Sequence, residues 1–338
     1  MTGSARRREI DRFLAGAGWN GAAVEPLAAD ASFRRYLRIR RGSQTAVLMD
    51  APPDREPIEP YAAIARHLLS LGFGAPRIEV EDRTAGLLLM EDLGDDTFTR
   101  LLARGEDETA LYELAVDTLI ALHRLPAATA VPPGLPAYSD DLLMAEADHF
   151  LDWYLPAIGL ALRPGSRSAY GARWREAFAR ARDVPQTLVL RDFHVDNLMR
   201  LQGREGPAAC GLVDFQDAVA GPASYDFVSL VEDARRDVPP ALAGALRHRY
   251  LAAFPDLDAT AFDRSCAVLG AQRHCKVIGI FTRLSRRDGK DAYLGHIARV
   301  WRLLEAAVLH PVLRPIRDWL DETVPPAART VPGPRAAA

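Results

Sequence analysis

Three residues between positions 188 and 217 have the types and spacing to move a phosphoryl group. Asp192 is followed at the fifth position by Asn197, and Asp214 comes after a turn-forming segment at 202–207. Two apolar runs, 188–190 and 211–213, each lead into one of the acids. In this order the first acid takes the proton of an incoming hydroxyl, while the amide oxygen and the second carboxylate hold Mg²⁺. The donor's negative charges repel an attacking oxygen, and magnesium, with its taste for hard oxygen ligands, neutralises them. An acid close to the metal but not on it orients the hydroxyl. Asp-x4-Asn alone is common, and its bland reading is two buried strands with capping acids. The strand-like runs and the second acid's setting, Val213-Asp-Phe-Gln-Asp, favour phosphoryl transfer. The two strands are expected to be neighbours that point their acids into one cleft.

The elements that must position these residues read as two blocks. Residues 5–17 form a helix with Ile10, Phe13 and Leu14 on one face, so Arg6–Arg8 are a solvated face. Strands are expected at 24–27, 33–40, 45–49, 77–80 and 87–90, with a helix at 58–71 ended by Gly72–Gly74. Phe33, Arg35, Leu37 and Ile39 share one side of the second strand. After it all, Glu91-Asp-Leu-Gly-Asp-Asp breaks the pattern; it is read as a hinge whose backbone groups suit an adenine edge, against the bland reading of an acidic turn. The remainder is helical, at 96–103, 108–125, 139–154, 221–237, 240–253, 260–285, 289–309 and 312–324. The expected division is a nucleotide-binding lobe at 1–93, a catalytic and acceptor-binding lobe at 94–324, and a flexible Pro/Ala/Arg-rich tail at 325–338.

Composition narrows the class. The chain has 338 residues, 49% of them hydrophobic, and a net charge of −3, so neither nucleic acid nor an acidic membrane surface is an expected partner. No apolar h-region follows Arg6–Arg8 and no run of 18 apolar residues occurs. Three cysteines, Cys210, Cys266 and Cys275, form no CxxC pair. A cytoplasmic monomer is expected. Only Lys276 and Lys290 are lysines, which has a consequence for phosphate binding below.

The chain resembles the aminoglycoside phosphotransferase and choline kinase-like superfamily, and within it the bacterial anomeric kinases of N-acetylmuramate and N-acetylglucosamine that serve cell-wall recycling. The segments that carry the resemblance run from Asp30 to about residue 284. They are Asp30-Ala-Ser-Phe-Arg-Arg-Tyr, Val47-Leu-Met-Asp-Ala-Pro-Pro, Leu89-Met-Glu-Asp-Leu-Gly-Asp, Leu190-Arg-Asp-Phe-His-Val-Asp-Asn, Val213-Asp-Phe-Gln-Asp-Ala, Tyr225-Asp-Phe-Val-Ser-Leu and Gln272-Arg-His-Cys-Lys-Val-Ile-Gly-Ile-Phe. The catalytic motif belongs to the whole superfamily; Met-Asp-Ala-Pro-Pro, Phe-Gln-Asp-Ala and Gln-Arg-His are narrower. The resemblance implies an α+β, two-lobed, protein-kinase-like fold with a small five-stranded first lobe and a mostly helical second. It implies ATP and Mg²⁺, with Asp192 as base, Asn197 and Asp214 as metal ligands, and Asp226 as a buried acid bracing the catalytic loop. Asp30, Ser32 and Phe33 fall in its phosphate-covering loop and Glu91, Asp92 and Leu93 at its adenine-binding hinge; Arg34 and Met49 join this nucleotide set.

Two departures stand out. The third strand has no lysine, so Arg34, Arg35 or Arg38 is expected to supply its charge as a bidentate clamp, unless Mg²⁺ and backbone donors suffice. The covering loop also lacks Gly-x-Gly-x-x-Gly. For the amino sugar, the candidates are His194, Gln216, Asp217, Trp153, Tyr154, Arg273 and Phe281; for each alone, packing or a surface bond is as good a reading. A lactyl carboxylate calls for an arginine, Arg273 or Arg191. Three competing readings remain. An aminoglycoside kinase would use Glu146, Asp148, Asp152 and Asp217 for a polycation. A choline- or homoserine-type kinase needs a cage or amino-acid set that is not identifiable. A pseudokinase would explain the missing lysine but not the intact acids.

Overall fold

Strand alternation explains the first part of the chain. In the computed structural model, which describes residues 3–27 and 33–334, α1 (Gly3–Gly16) precedes β1 (Ala23–Pro26), β2 (Arg35–Arg41), β3 (Gln44–Asp50), α2 (Glu59–Ser70), β4 (Ile78–Asp82) and β5 (Leu87–Glu91). The strands form the expected five-stranded sheet, in the order β1-β2-β3-β5-β4 and with every pair antiparallel. Side chains alternate across a strand, so the two faces divide cleanly. Leu37 and Ile39, Ala46 and Leu48, and Leu87 and Leu89 pack with Ile10, Phe13 and Leu14 of α1. The opposite face carries Arg38, Val47 and Met90, cross-strand neighbours in register.

Then come α3 (Phe98–Ala103), α4 (Glu108–His123) and the short α5 (Ala127–Ala130). Next, α6 (Asp140–His149) runs through a π-turn at Phe150–Tyr154 into α7 (Leu155–Ala157), followed by α8 (Ser166–Arg180). The widened turn falls just before Pro156, which has no N–H to offer the preceding turn. Helix α8 is not anticipated above. Its buried Tyr170, Trp174, Ala177 and Phe178 have helical spacing, diluted by Gly165, Gly171 and many arginines. Four short strands follow: β6 (Gln186–Val189), β7 (Leu198–Arg200), β8 (Cys210–Leu212) and β9 (Val219–Pro222). The last helices are α9 (Ser224–Val231), α10 (Pro240–Ala252), α11 (Ala259–Asp288), α12 (Ile297–Ala307) and α13 (Arg314–Thr323).

Contacts divide the chain into two units. One comprises residues 1–118 and 195–218, the other 119–194 and 219–338. The β7–β8 hairpin and α3 thus fall in the same unit as the sheet, whereas the sequence reading divides the chain at residue 93. Gly74 bridges Gly211, Thr97 bridges Met199, and the Leu212 N–H donates to the Gly74 carbonyl at 2.7 Å. In the second unit α11 is the central helix: 19 of its residues are buried.

Residues 325–334, read above as flexible tail, are tied into this unit. Arg329 pairs with Glu305 at 2.7 Å and with Asp321, and lies over the Trp301 ring. Among the described residues no helix is long and apolar enough to cross a membrane.

Candidate active site

Strand register, not sequence distance, brings together Asn197 and Asp214, the pair expected to hold a metal. In the β7–β8 hairpin, Leu198 pairs with Leu212, so Asn197, just before β7, faces the residues that follow β8. The Val213 N–H donates to the Asn197 carbonyl at 3.2 Å, and Asn197 Nδ2 donates to Asp214 Oδ2 at 3.3 Å. Gln216 Nε2 holds the other oxygen, Oδ1, at 2.9 Å. Asp214 has φ of 61°, a left-handed conformation uncommon for an acid; Arg191 at 69° is the other non-glycine residue of this kind among the described residues. Such outliers persist only where their surroundings hold them.

The strands leading into the two acids are not paired with each other, contrary to the expectation above. β8 pairs with β7, while β6 pairs with β9, Val189 opposite Val219. The apolar runs mark both as buried strands but carry no information on partner choice. The β6–β9 pairing has its own consequence. β9 leads directly into α9, whose first turn carries Asp226. There the Asp226 carboxylate accepts the N–H groups of Leu190 at 2.6 Å and Arg191 at 2.9 Å. Burial pushes this carboxyl up to about 7, against the pull of those two donors. Ser229 Oγ donates to the Arg191 carbonyl at 3.4 Å. Asp192, half-buried, comes next along the chain.

The side chain of Arg191 is fixed as well. Its guanidinium pairs with Glu146 of α6 and faces the Tyr138 ring. Glu146 is buried and also accepts from Tyr138 Oη at 2.5 Å, Lys276 Nζ at 2.9 Å and Gln272 Nε2 at 3.0 Å. Burial by itself would raise this carboxyl; Lys276 and Arg191 outweigh it and hold Glu146 at about 2. Sequence reasoning named Glu146 only as a possible polycation contact. The i, i+4 spacing of Gln272 and Lys276 on α11 was the available signal that one polar partner faced both.

The sheet unit holds a cavity of about 440 Å³ on the face away from α1. Arg38, Val47 and Met90 line it, with Tyr61 of α2, the Glu91–Asp95 turn, and Asn197 and Asp214. Of the three arginines proposed to replace a lysine, Arg38 alone lines it. Arg38 pairs with Asp92 and Asp95, both at 2.8 Å, and donates to the Gly94 carbonyl at 3.0 Å. Arg34 pairs with Glu56 at 2.9 Å, and Arg35 with Asp50. Glu91, Asp92 and Leu93 line the cavity; Val47 lines it too, whereas Met49 is buried in the sheet. Phe33 is exposed, with its N–H on Glu56 Oε1 at 2.9 Å and Arg55 over its ring. Asp30 and Ser32 lie outside the described residues.

The acceptor candidates separate. In the helical unit, His194 is buried 3.4 Å from Arg235, whose guanidinium lies over Phe281. Arg273 is buried too. Tyr154 is a core residue: it donates to the Thr330 carbonyl at 2.8 Å, accepts from Trp301 Nε1 at 2.9 Å and stacks on Phe150. Trp153 is half-buried in the π-turn. In the sheet unit, Gln216 orients Asp214 and Asp217 is exposed.

The donor set suits magnesium. Among the described residues no three His, Cys, Asp or Glu side chains gather as a metal cage. Mg²⁺ takes one or two protein oxygens and completes its shell with waters and substrate phosphates. The Asn197 amide and Asp214 carboxylate offer that number.

A sheet bearing a cavity, joined by a hinge-like turn to a hairpin and a helical body, is the layout of an aminoglycoside phosphotransferase fold. The GDP complex of aminoglycoside 2'-phosphotransferase-IIIa has the same fold, with a TM-score of 0.60 at 15% identity, covering 89% of this chain and 98% of that one. The chain belongs to the phosphotransferase enzyme family, whose profile matches residues 23–262. Within it, the chain is similar to the N-acetylmuramate/N-acetylglucosamine kinase of Caulobacter vibrioides, 34% identical over 97% of this chain and 100% of that one. The enzyme of the same name from Pseudomonas aeruginosa is 38% identical over 86% of each.

Proposed function

We propose that the protein is an ATP-dependent sugar kinase that phosphorylates the anomeric hydroxyl of N-acetylmuramate and N-acetylglucosamine, a step of peptidoglycan recycling. The observation that carries this reading is similarity to kinases of that name along nearly the whole chain, with Asp192, Asn197 and Asp214 all present. In this reading Asp192 takes the proton of the sugar hydroxyl as the terminal phosphate arrives. An anomeric hydroxyl is more acidic than other sugar hydroxyls, which eases that transfer. Asn197 and Asp214 hold magnesium, which supplies charge neutralisation to the phosphates when bound. The cavity beside Glu91–Asp95 takes the nucleobase, whose edge bonds to backbone groups there. Arg38, committed to Asp92 and Asp95, shapes that wall, so phosphate binding leans on magnesium and backbone donors.

A polycationic acceptor fits less well. Glu146 is neutralised by Lys276 and Arg191, and Arg167 pairs with both Asp148 and Asp152. The reading extends to a cytoplasmic monomer, since ATP and the recovered sugars meet in that compartment.

The test is ADP release over a panel of amino sugars, aminoglycosides and amino alcohols, with ³¹P and ¹³C NMR of the product. Phosphate on C1 of either amino sugar is the expected result. Turnover confined to aminoglycosides or amino alcohols, or phosphate on another carbon, overturns the reading.

A further inference from the structure

The buried stretch of α11 carries four polar side chains in five positions, and three of them make hydrogen bonds or ion pairs within the protein, although Gln272 Oε1 and His274 Nδ1 are left without a partner. Gln272 donates to Glu146 and to the Leu143 carbonyl, His274 meets Glu232 at 2.6 Å, and Lys276 pairs with Glu146. Arg273, between them, makes no hydrogen bond or ion pair among the described residues. It is 3% exposed, and its Nη1 is fully buried without a partner. Guanidinium carries five N–H donors in a rigid fork and does not shed its proton. A buried charge that no acid among the described residues hydrogen-bonds is costly, so this fork is suited to an incoming anion that accepts from it.

Two neighbours locate it. Arg273 acts electrostatically on Asp226, which braces the Leu190–Arg191 turn before Asp192, and on Tyr225. Both Asp226 oxygens are taken by backbone N–H groups, so this acid does not saturate the fork. The Tyr225 hydroxyl is buried and also without a partner. A cationic fork and a spare hydroxyl, both near the acceptor end of the catalytic turn, make a carboxylate subsite. The other candidate arginine, Arg191, is committed to Glu146.

We propose that Arg273 binds the lactyl carboxylate of N-acetylmuramate, with the Tyr225 hydroxyl as a second donor, and so distinguishes this anionic acceptor from neutral N-acetylglucosamine. The inference rests on the sugar-kinase reading above.

Steady-state kinetics with both sugars test it. Arg273→Gln lowers kcat/KM for N-acetylmuramate about 100-fold and changes that for N-acetylglucosamine by less than about threefold, the size expected when a charge-assisted bidentate contact to substrate is lost. Arg273→Lys keeps the charge but not the fork, and loses about tenfold with the acidic sugar alone. A substrate-side arm needs no variant: the lactamide of N-acetylmuramate, offered to the wild-type enzyme, is about 100-fold poorer than the acid. Equal loss with both sugars would assign Arg273 to bracing Asp226 or to a phosphate common to both reactions, and overturns the inference. So does full activity of Arg273→Gln, or of the lactamide. If the wild-type enzyme turns over neither sugar, it is the kinase reading that fails, before any variant is made.

Discussion

Asn197 and Asp214, 17 residues apart in sequence, meet at the open end of one hairpin, where Asn197 Nδ2 donates to Asp214 Oδ2 at 3.3 Å. If Asp214 holds the metal as proposed, Asp214→Asn removes the charge that does so and is expected to lower turnover about 1,000-fold. Asn197→Ala is expected to raise the magnesium concentration for half-maximal rate at least about tenfold. Magnesium titration of ADP release checks both; an unchanged requirement in Asn197→Ala removes it as a ligand.

Asp192 directly follows the Leu190–Arg191 turn that Asp226 braces, so a thermal melt beside the activity assay separates chemistry from folding. Asp192→Asn is expected to keep the wild-type melting temperature while turnover falls about 1,000-fold or more. A variant that retains more than about a tenth of the wild-type rate excludes Asp192 as the base.

Asp226 holds the catalytic turn by two backbone N–H groups, and an amide in its place can accept only one of them well. Leaving a buried donor unsatisfied costs about 1–3 kcal/mol. Asp226→Asn is therefore expected to lower both the denaturation midpoint and kcat, the latter about 10- to 100-fold, with little change in the KM for nucleotide. Normal kcat in a destabilised variant would show that the turn does not need this brace.

Glu146 links stability to pH. Held at about 2 in the folded protein, against 4.5 for the ordinary side chain, it binds fewer protons folded than unfolded between those values. Its stabilising contribution is complete above about pH 4.5 and is lost as pH falls toward 2. Denaturant midpoints of the wild type should therefore drop across that window more steeply than those of Glu146→Gln. That variant should also be less stable at pH 7, where Lys276 and Arg191 are left buried without their acid. Parallel pH profiles would disprove the link.

Gly279 lets α11 approach the π-turn region. A methyl there would meet the His149 backbone carbonyl, while at Gly244 of α10 it would meet nothing within 4 Å. Alanine is the better helix former by about 1 kcal/mol, so Gly244→Ala is expected to be neutral or stabilising. Gly279→Ala should destabilise by about 2 kcal/mol or more, because backbone cannot move aside as a side chain can. Thermal melts of the two variants decide it; equal melting temperatures would mean that the helices are not in contact there.

Residue types, spacing and strand alternation were legible in the sequence because they are local. Asp192-x4-Asn197 and Asp214 sit where strand-like runs end, and alternation over 33–49 and 87–90 marks a sheet with two different faces. The same period, read in register, separates Arg38, Val47 and Met90 from the residues that meet α1. What each element packs against is not local, and the tertiary structure decided it. A run such as 188–190 marks a buried strand, but β9 rather than β8 is its partner, and that pairing is what brings Asp226 beneath Leu190 and Arg191. Tyr154 carries the same polar tip whether it binds a sugar or closes a core; Thr330 and Trp301, more than 140 residues away, settle it as core. Arg191 and Arg273 were equal candidates by residue type alone. Only the fold commits one to Glu146 and leaves the other's Nη1 buried without a hydrogen-bond partner, because partners are assigned by proximity in space rather than by order along the chain.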